Sequence, residues 1–130
     1  MIDFIQDTIE MTKLRMDVSE AGEDSYRCVM SSPHGEMERT VTMRPGYGAP
    51  SLEAVLHFYA ERAQLAGEYA SLEEWAEEFS HDPEAPESIE AHEKLMSDRS
   101  NLRQMLGPYA FDALMTGLSI SQAIERARPR

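Results

Sequence analysis

Four carboxylates at helical spacing are the residues of this sequence best placed to do chemistry. Glu73 with Glu77 and Glu74 with Glu78 stand four apart, where each like-charge pair costs about 0.2–0.5 kcal/mol in an isolated helix. No lysine lies nearby to offset them. A segment selected for stability alone would alternate its signs. Residues four apart rise about 6 Å along a helix, comparable to two phosphate steps of about 3.4 Å along one strand of a duplex. The pattern therefore suits a surface that imitates nucleic acid to a Lys/Arg-lined groove. Glu84 and Glu87 extend it, with Glu68, Glu90 and Glu93 on neighbouring turns. The plain alternative is a solvated helix face with acids near helix N-termini, where the macrodipole favours them. Glu73 and Glu74 fit that alternative; Glu77 and Glu78 do not.

Other chemistry is thin. His34, His57, His81 and His92 are scattered, with neither the HExxH nor the CxxC spacing of a metal site. His81-Asp82 has the composition of a base with an orienting carboxylate, but adjacent residues on a turn rarely hold that geometry and no Ser or Cys nucleophile is placed for them. His57 and His92 sit beside apolar helical stripes, where a satisfied, partly buried histidine is the simpler reading. Pro45-Gly46-Tyr47-Gly48 contains GxG without the third glycine of a phosphate cradle, and it reads as a connector. The single cysteine, Cys28, lies in an apolar stretch with no second thiol, so it reads as a small buried hydrophobe in a reducing compartment. No catalytic residue, metal site or cofactor is assigned, and the chain is expected not to be an enzyme.

The charge is uneven. Of 24 acids and 12 bases, residues 1–50 carry nine and five, and residues 99–130 reverse the sign with two acids against five arginines. Residues 51–98 hold thirteen acids against only Arg62 and Lys94. A field this negative disfavours direct contact with nucleic acid or an anionic membrane and steers the chain toward basic partners. The N-terminal residues lack a basic start and a long apolar run, and no stretch nears about 18 apolar residues. A soluble protein of the cytoplasm is expected.

The elements that must carry these groups follow from periodicity. Ile9-Glu10-Met11 and Leu14 to Val18 alternate apolar with polar, with a slip at Thr12-Lys13 that resembles a bulge. After a loop at residues 21–24 come a strand at 26–30, a turn at 31–35 and a strand at 37–43. This predicts a three-stranded antiparallel meander over residues 1–44. Residues 45–50 form a connector on which Tyr47, between two glycines, is the candidate exposed anchor. Beyond it the period becomes 3.6. Ser51 caps a helix with the stripe Leu52, Val55, Leu56, Tyr59, Ala60 and Ala63; Ser71 and Glu74 form a capping box for a short helix to Phe79. A long helix is predicted over 87–106 and a short one over 109–115, stopped by Gly117. A second capping box at Ser119 and Gln122 opens a last helix that runs into the arginine tail. Met11, Met16, Met30, Met43, Met105 and Met115 are expected as core fillers, and Tyr59, Trp75, Phe79, Tyr109 and Phe111 mostly as core. The fold class is α+β, one 130-residue domain with the meander packed on a cluster of four to five helices over 51–130.

From the third strand onward the chain resembles a group of small phage- and prophage-encoded proteins. The resemblance rests on Pro50-Ser51-Leu52-Glu53-Ala54-Val55-Leu56, on Ser71-Leu72-Glu73-Glu74-Trp75-Ala76-Glu77-Glu78-Phe79 and on Leu102-Arg103-Gln104-Met105-Leu106-Gly107, within residues 37–107. Members of that group often carry an aspartate-rich turn followed by basic residues after the tryptophan segment. Here His81-Asp82-Pro83-Glu84-Ala85-Pro86-Glu87-Ser88 stands instead, so no role of those basic residues transfers. The resemblance implies a mobile-element origin, and small acidic proteins of that origin are often inhibitors of host defence.

The expected function is a non-enzymatic, anti-CRISPR-like inhibitor. It would bind the basic groove of a host protein or ribonucleoprotein, either a CRISPR-Cas effector or a restriction enzyme, by mimicry or steric block. Glu73, Glu74, Glu77, Glu78, Glu84 and Glu87 would supply the charge and Tyr47 an anchor. The alternative is a phage regulatory adaptor that uses apolar contacts on the sheet or the C-terminal helix. A hydrolase built on His81 or His92 is a third class.

Overall fold

Asp3 sits in extended backbone and accepts hydrogen bonds from the Ile5 and Gln6 N–H groups at 3.1 and 3.0 Å, which opens helix α1 (Phe4–Thr12). Lys13, left-handed at φ 55°, closes it. The computed structural model describes residues 3–129; Met1, Ile2 and Arg130, the last of the expected arginine tail, lie outside the described residues. The strand expected at Ile9-Glu10-Met11 is thus helical. Ile5 and Ile9 turn together onto the core at i,i+4, and the slip at Thr12-Lys13 is the end of a helix. Met11 points the other way, 61% exposed, and fills no core.

Strands β1 (Arg15–Gly22), β2 (Ser25–Ser32) and β3 (Gly35–Thr42) form the antiparallel meander in the order β1-β2-β3. The loop expected at 21–24 is tighter than that. β1 extends to Gly22, which pairs with Ser25, and the register shift falls between Glu20 and Gly22. Both hairpins close on two residues, Glu23-Asp24 and Pro33-His34. One inward row crosses the sheet through Met16, Met30 and Met37, and the next through Val18, Cys28 and Arg39. The opposite face carries Asp17, Arg27, Glu38 and Thr40, all exposed, as one-sided burial requires.

Four helices follow. Ser51 caps α2 (Leu52–Glu68) and Ser71 caps α3 (Leu72–Glu78), with side-chain oxygens accepting from the Ala54 and Glu74 N–H groups. Pro86 begins α4 (Pro86–Leu106) and Pro108 begins α5 (Pro108–Ala127), positions where a missing N–H costs nothing. Gly107 between them has φ 86°, a conformation that makes the corner abrupt. The two C-terminal helices expected on either side of Gly117 are one. Gly117 is buried inside α5 because the Phe4 ring of α1 lies on its backbone, and Ser119 with Gln122 hydrogen-bond to Gln64 of α2 instead of capping.

The sheet's inner face, α2, α4 and α5 enclose the main core around Met30, Leu56, Leu102, Met105, Phe111 and Leu114. Ser32 Oγ donates to the Met105 carbonyl at 2.5 Å and pins the second hairpin to the end of α4. A smaller core of Ala66, Trp75, Ala76 and Leu95 seats α3. Tyr109 is 92% exposed and belongs to neither core, against expectation. Among the described residues no helix is long and apolar enough to cross a membrane.

A methyl group at position 117 would strike the Phe4 ring. Gly117→Ala is expected to lower stability by about 1 kcal/mol as α1 is displaced. In a Phe4→Ala background the same change should raise it by up to about 1 kcal/mol through helix propensity. Urea unfolding of the four proteins measures the sign reversal.

Candidate functional site

The best-engaged polar group in the molecule is Asp98, 1% exposed in the middle of α4. Arg39 of β3 donates from Nε to its Oδ1 and Arg62 of α2 donates from Nε to its Oδ2, both at 2.8 Å. One carboxylate therefore ties sheet, α2 and α4 together. Both guanidinium groups keep some solvent, at 21% and 28% side-chain exposure, which lowers the cost of burying the charge they neutralise.

Above this triad lies a groove of about 710 Å³ between β3, α2, α3 and α4, within the size range of small-molecule sites. Its walls are built by a second face of α2, where Ala54, Phe58 and Arg62 recur every fourth residue, with Leu65 one turn on. Trp75 and Phe79 of α3 face them, and Lys94, Leu95 and Asp98 of α4 complete the floor. Phe58 is 55% exposed and Phe79 42%, large for aromatic side chains with apolar neighbours. Trp75 stacks on His81 at 4.8 Å and meets His92 at 5.6 Å.

The glutamates lie on the far side of the same short helix. Trp75 and Ala76 face inward, while Glu73, Glu74, Glu77 and Glu78 are all exposed. They span about 140° of the helix circumference. Among the described residues none of the four forms an ion pair, and Arg128 of the tail pairs with Glu125 of its own helix. Their field is felt at Tyr69, whose phenol is pushed above its ordinary value by desolvation and then by the Glu78 and Glu68 carboxylates. Glu84 and Glu87 are exposed in and just after the turn joining α3 to α4. Tyr47, 68% exposed, stands on the connector after β3.

The histidines are dispersed. His92 is buried with Nε2 at 3.1 Å from the Tyr69 carbonyl, and His57 pairs with Glu61 at 2.9 Å on the surface of α2. His34 is exposed at a hairpin tip. Burial pushes the Cys28 thiol up, which disfavours the thiolate a nucleophile needs. Among the described residues no group of three His, Cys, Asp or Glu is placed to hold a metal ion.

The Asp98 triad and the groove were not anticipated from sequence. One signal was present: Arg62 and Lys94, the only cations among thirteen acids over residues 51–98, both line this groove. No family model, curated protein or solved structure matches the chain.

Three outcomes follow from this geometry. Asp98→Ala is expected to cost about 3 kcal/mol, since it leaves two arginines without their shared partner. Arg39→Ala and Arg62→Ala should couple non-additively through it by more than about 0.5 kcal/mol in urea denaturation. Burial first, and the Asp98 carboxylate second, push the Tyr59 phenol up. Between the ordinary tyrosine value of about 10 and the raised native one, the unfolded chain holds fewer protons than the native, so stability falls as pH rises. Tyr59→Phe should make that alkaline decline shallower in thermal melts between about pH 9 and 11.

Proposed function

We propose that this chain is a non-enzymatic binding protein of the phage-inhibitor type. Its acidic α3 face would seat in the basic, nucleic-acid-binding groove of a host effector such as a CRISPR-Cas complex or a restriction enzyme. The observation that carries this reading is the solvent exposure of Glu73, Glu74, Glu77 and Glu78 on one helix, with no cation paired to them among the described residues. Glu84 and Glu87 continue the negative surface into α4, and Tyr47 offers an aromatic contact. The resemblance of residues 37–107 to small phage proteins, and the net charge of −12, support the same partner class. Mimicry needs only charge presented at phosphate-like intervals on a docked element, and Trp75 packs α3 against Ala66 and Leu95.

A second reading has one observation in its favour. Ile120 and Ile124 lie four apart on α5 and are 48% and 56% exposed, as an adaptor binding through apolar contacts on its C-terminal helix would have them.

The two readings differ in salt response. For mimicry, affinity for a Cas-type or restriction effector should fall at least tenfold between about 50 and 200 mM salt. Changing the four α3 glutamates to glutamine should weaken it by about 10–100-fold. Salt-independent binding that is lost in Ile124→Asp instead would favour the adaptor and overturn the decoy.

A further inference from the structure

The groove above Asp98 has polar features that neither the fold nor the acidic face uses. Lys94 is exposed at its wall and forms no ion pair among the described residues. Arg62 spends only its Nε on Asp98, and its guanidinium lies 5.9 Å from the Phe58 ring. Two cations, Arg62 and Lys94, therefore line the groove against the single carboxylate of Asp98, a local excess of positive charge in a protein of net charge −12.

Two further donors are unused. Tyr59 and Trp75 are 5% and 8% exposed and line the groove, yet neither the phenol nor the indole N–H forms a hydrogen bond among the described residues. Every fully hidden side-chain nitrogen or oxygen there does have a partner. These two donors must therefore reach open space, and the open space beside them is the groove. Donors at the edge of an apolar cleft are free to meet a polar group of a ligand that enters it.

We propose that this groove binds a small amphipathic anion, its apolar tail lying between Phe58, Trp75 and Phe79 and its carboxylate held by Lys94, Arg62 and Tyr59. The walls supply aromatic surface for an apolar tail, and the cations and neutral donors lining the same groove suit a single negative head. A raised phenol keeps Tyr59 protonated, and so a donor, at neutral pH. A basic peptide segment is disfavoured at this site by the same cations that favour the acid. The inference is independent of what the α3 glutamates bind, because those side chains face away from the groove.

Trp75 is the only tryptophan, so its fluorescence reports on the groove directly. Decanoate, kept below its micellar range, is expected to change that fluorescence saturably, with matching stoichiometry by calorimetry. Decan-1-ol, which has the same tail and no charge, should bind at least about tenfold more weakly. Lys94→Gln, a surface change outside the triad, should weaken decanoate by about tenfold and leave decan-1-ol unaltered. The absence of saturable heat with decanoate, equal affinity for the alcohol, or undiminished affinity in a folded Lys94→Gln protein would each overturn the proposal.

Discussion

The architecture turns on a single buried carboxylate with two arginines. Asp98 reaches the sheet through Arg39 and α2 through Arg62 from the centre of the longest helix. An ionised group in that position is stable only if its lone pairs are engaged, because taking it from water without partners costs several kcal/mol. The two Nε bonds satisfy one oxygen each. Apolar contacts alone would permit α4 to slide along the sheet, since methionine and leucine surfaces tolerate small shifts. A three-element ion pair tolerates them poorly, which gives α4 a defined register against β3 and α2. Arg99 adds a second lock one residue on, donating to the Ala63 carbonyl at 2.6 Å near the C-terminal end of α2 and lying over Phe111 of α5 at 5.1 Å.

That register creates the groove. With α4 fixed against α2, the short α3 spans the gap on Trp75, and the space left between Trp75, Phe58 and the triad cannot close without moving a member of that triad. The molecule thus has an acidic outer wall on α3 and a cationic inner wall behind it. These are compatible because charges of opposite sign on the two sides of α3 attract.

Much of this organisation was legible in the sequence, and the failures have physical causes. The meander, its alternation and the capped helices were readable because period two, period 3.6 and Ser-led caps are local signals. Residues 9–11 were misread because the three of them happen to alternate, while the true i,i+4 pairs of α1, Ile5 with Ile9 and Thr8 with Thr12, include two threonines whose burial is satisfied by their own helix, each hydroxyl donating to a carbonyl four residues back. The break expected at Gly117 was wrong because that glycine answers to a ring 113 positions earlier in the chain. The triad was invisible for the same reason: 59 and 36 residues separate Asp98 from Arg39 and Arg62. Charge counting did flag Arg62 and Lys94 as odd among their acidic neighbours, and position in the fold explains the oddity.

The energetics of α3 bear on why its glutamates are there at all. Burying Trp75 contributes about 3 kcal/mol or more, whereas the two like-charge pairs together cost less than about 1 kcal/mol. The fold therefore tolerates the glutamates without needing them, and their removal should leave the helix docked. Glu73 and Glu74 gain from the helix N-terminus, but Glu77 and Glu78 sit at its other end, where the macrodipole opposes negative charge. Stability thus gives no reason for two of the four. Solubility gives a weak one, since these two are among 24 acids and the rest already keep the chain strongly negative. The proposed basic partner would supply one, and it is on that residue pair more than on the total charge that the decoy reading stands.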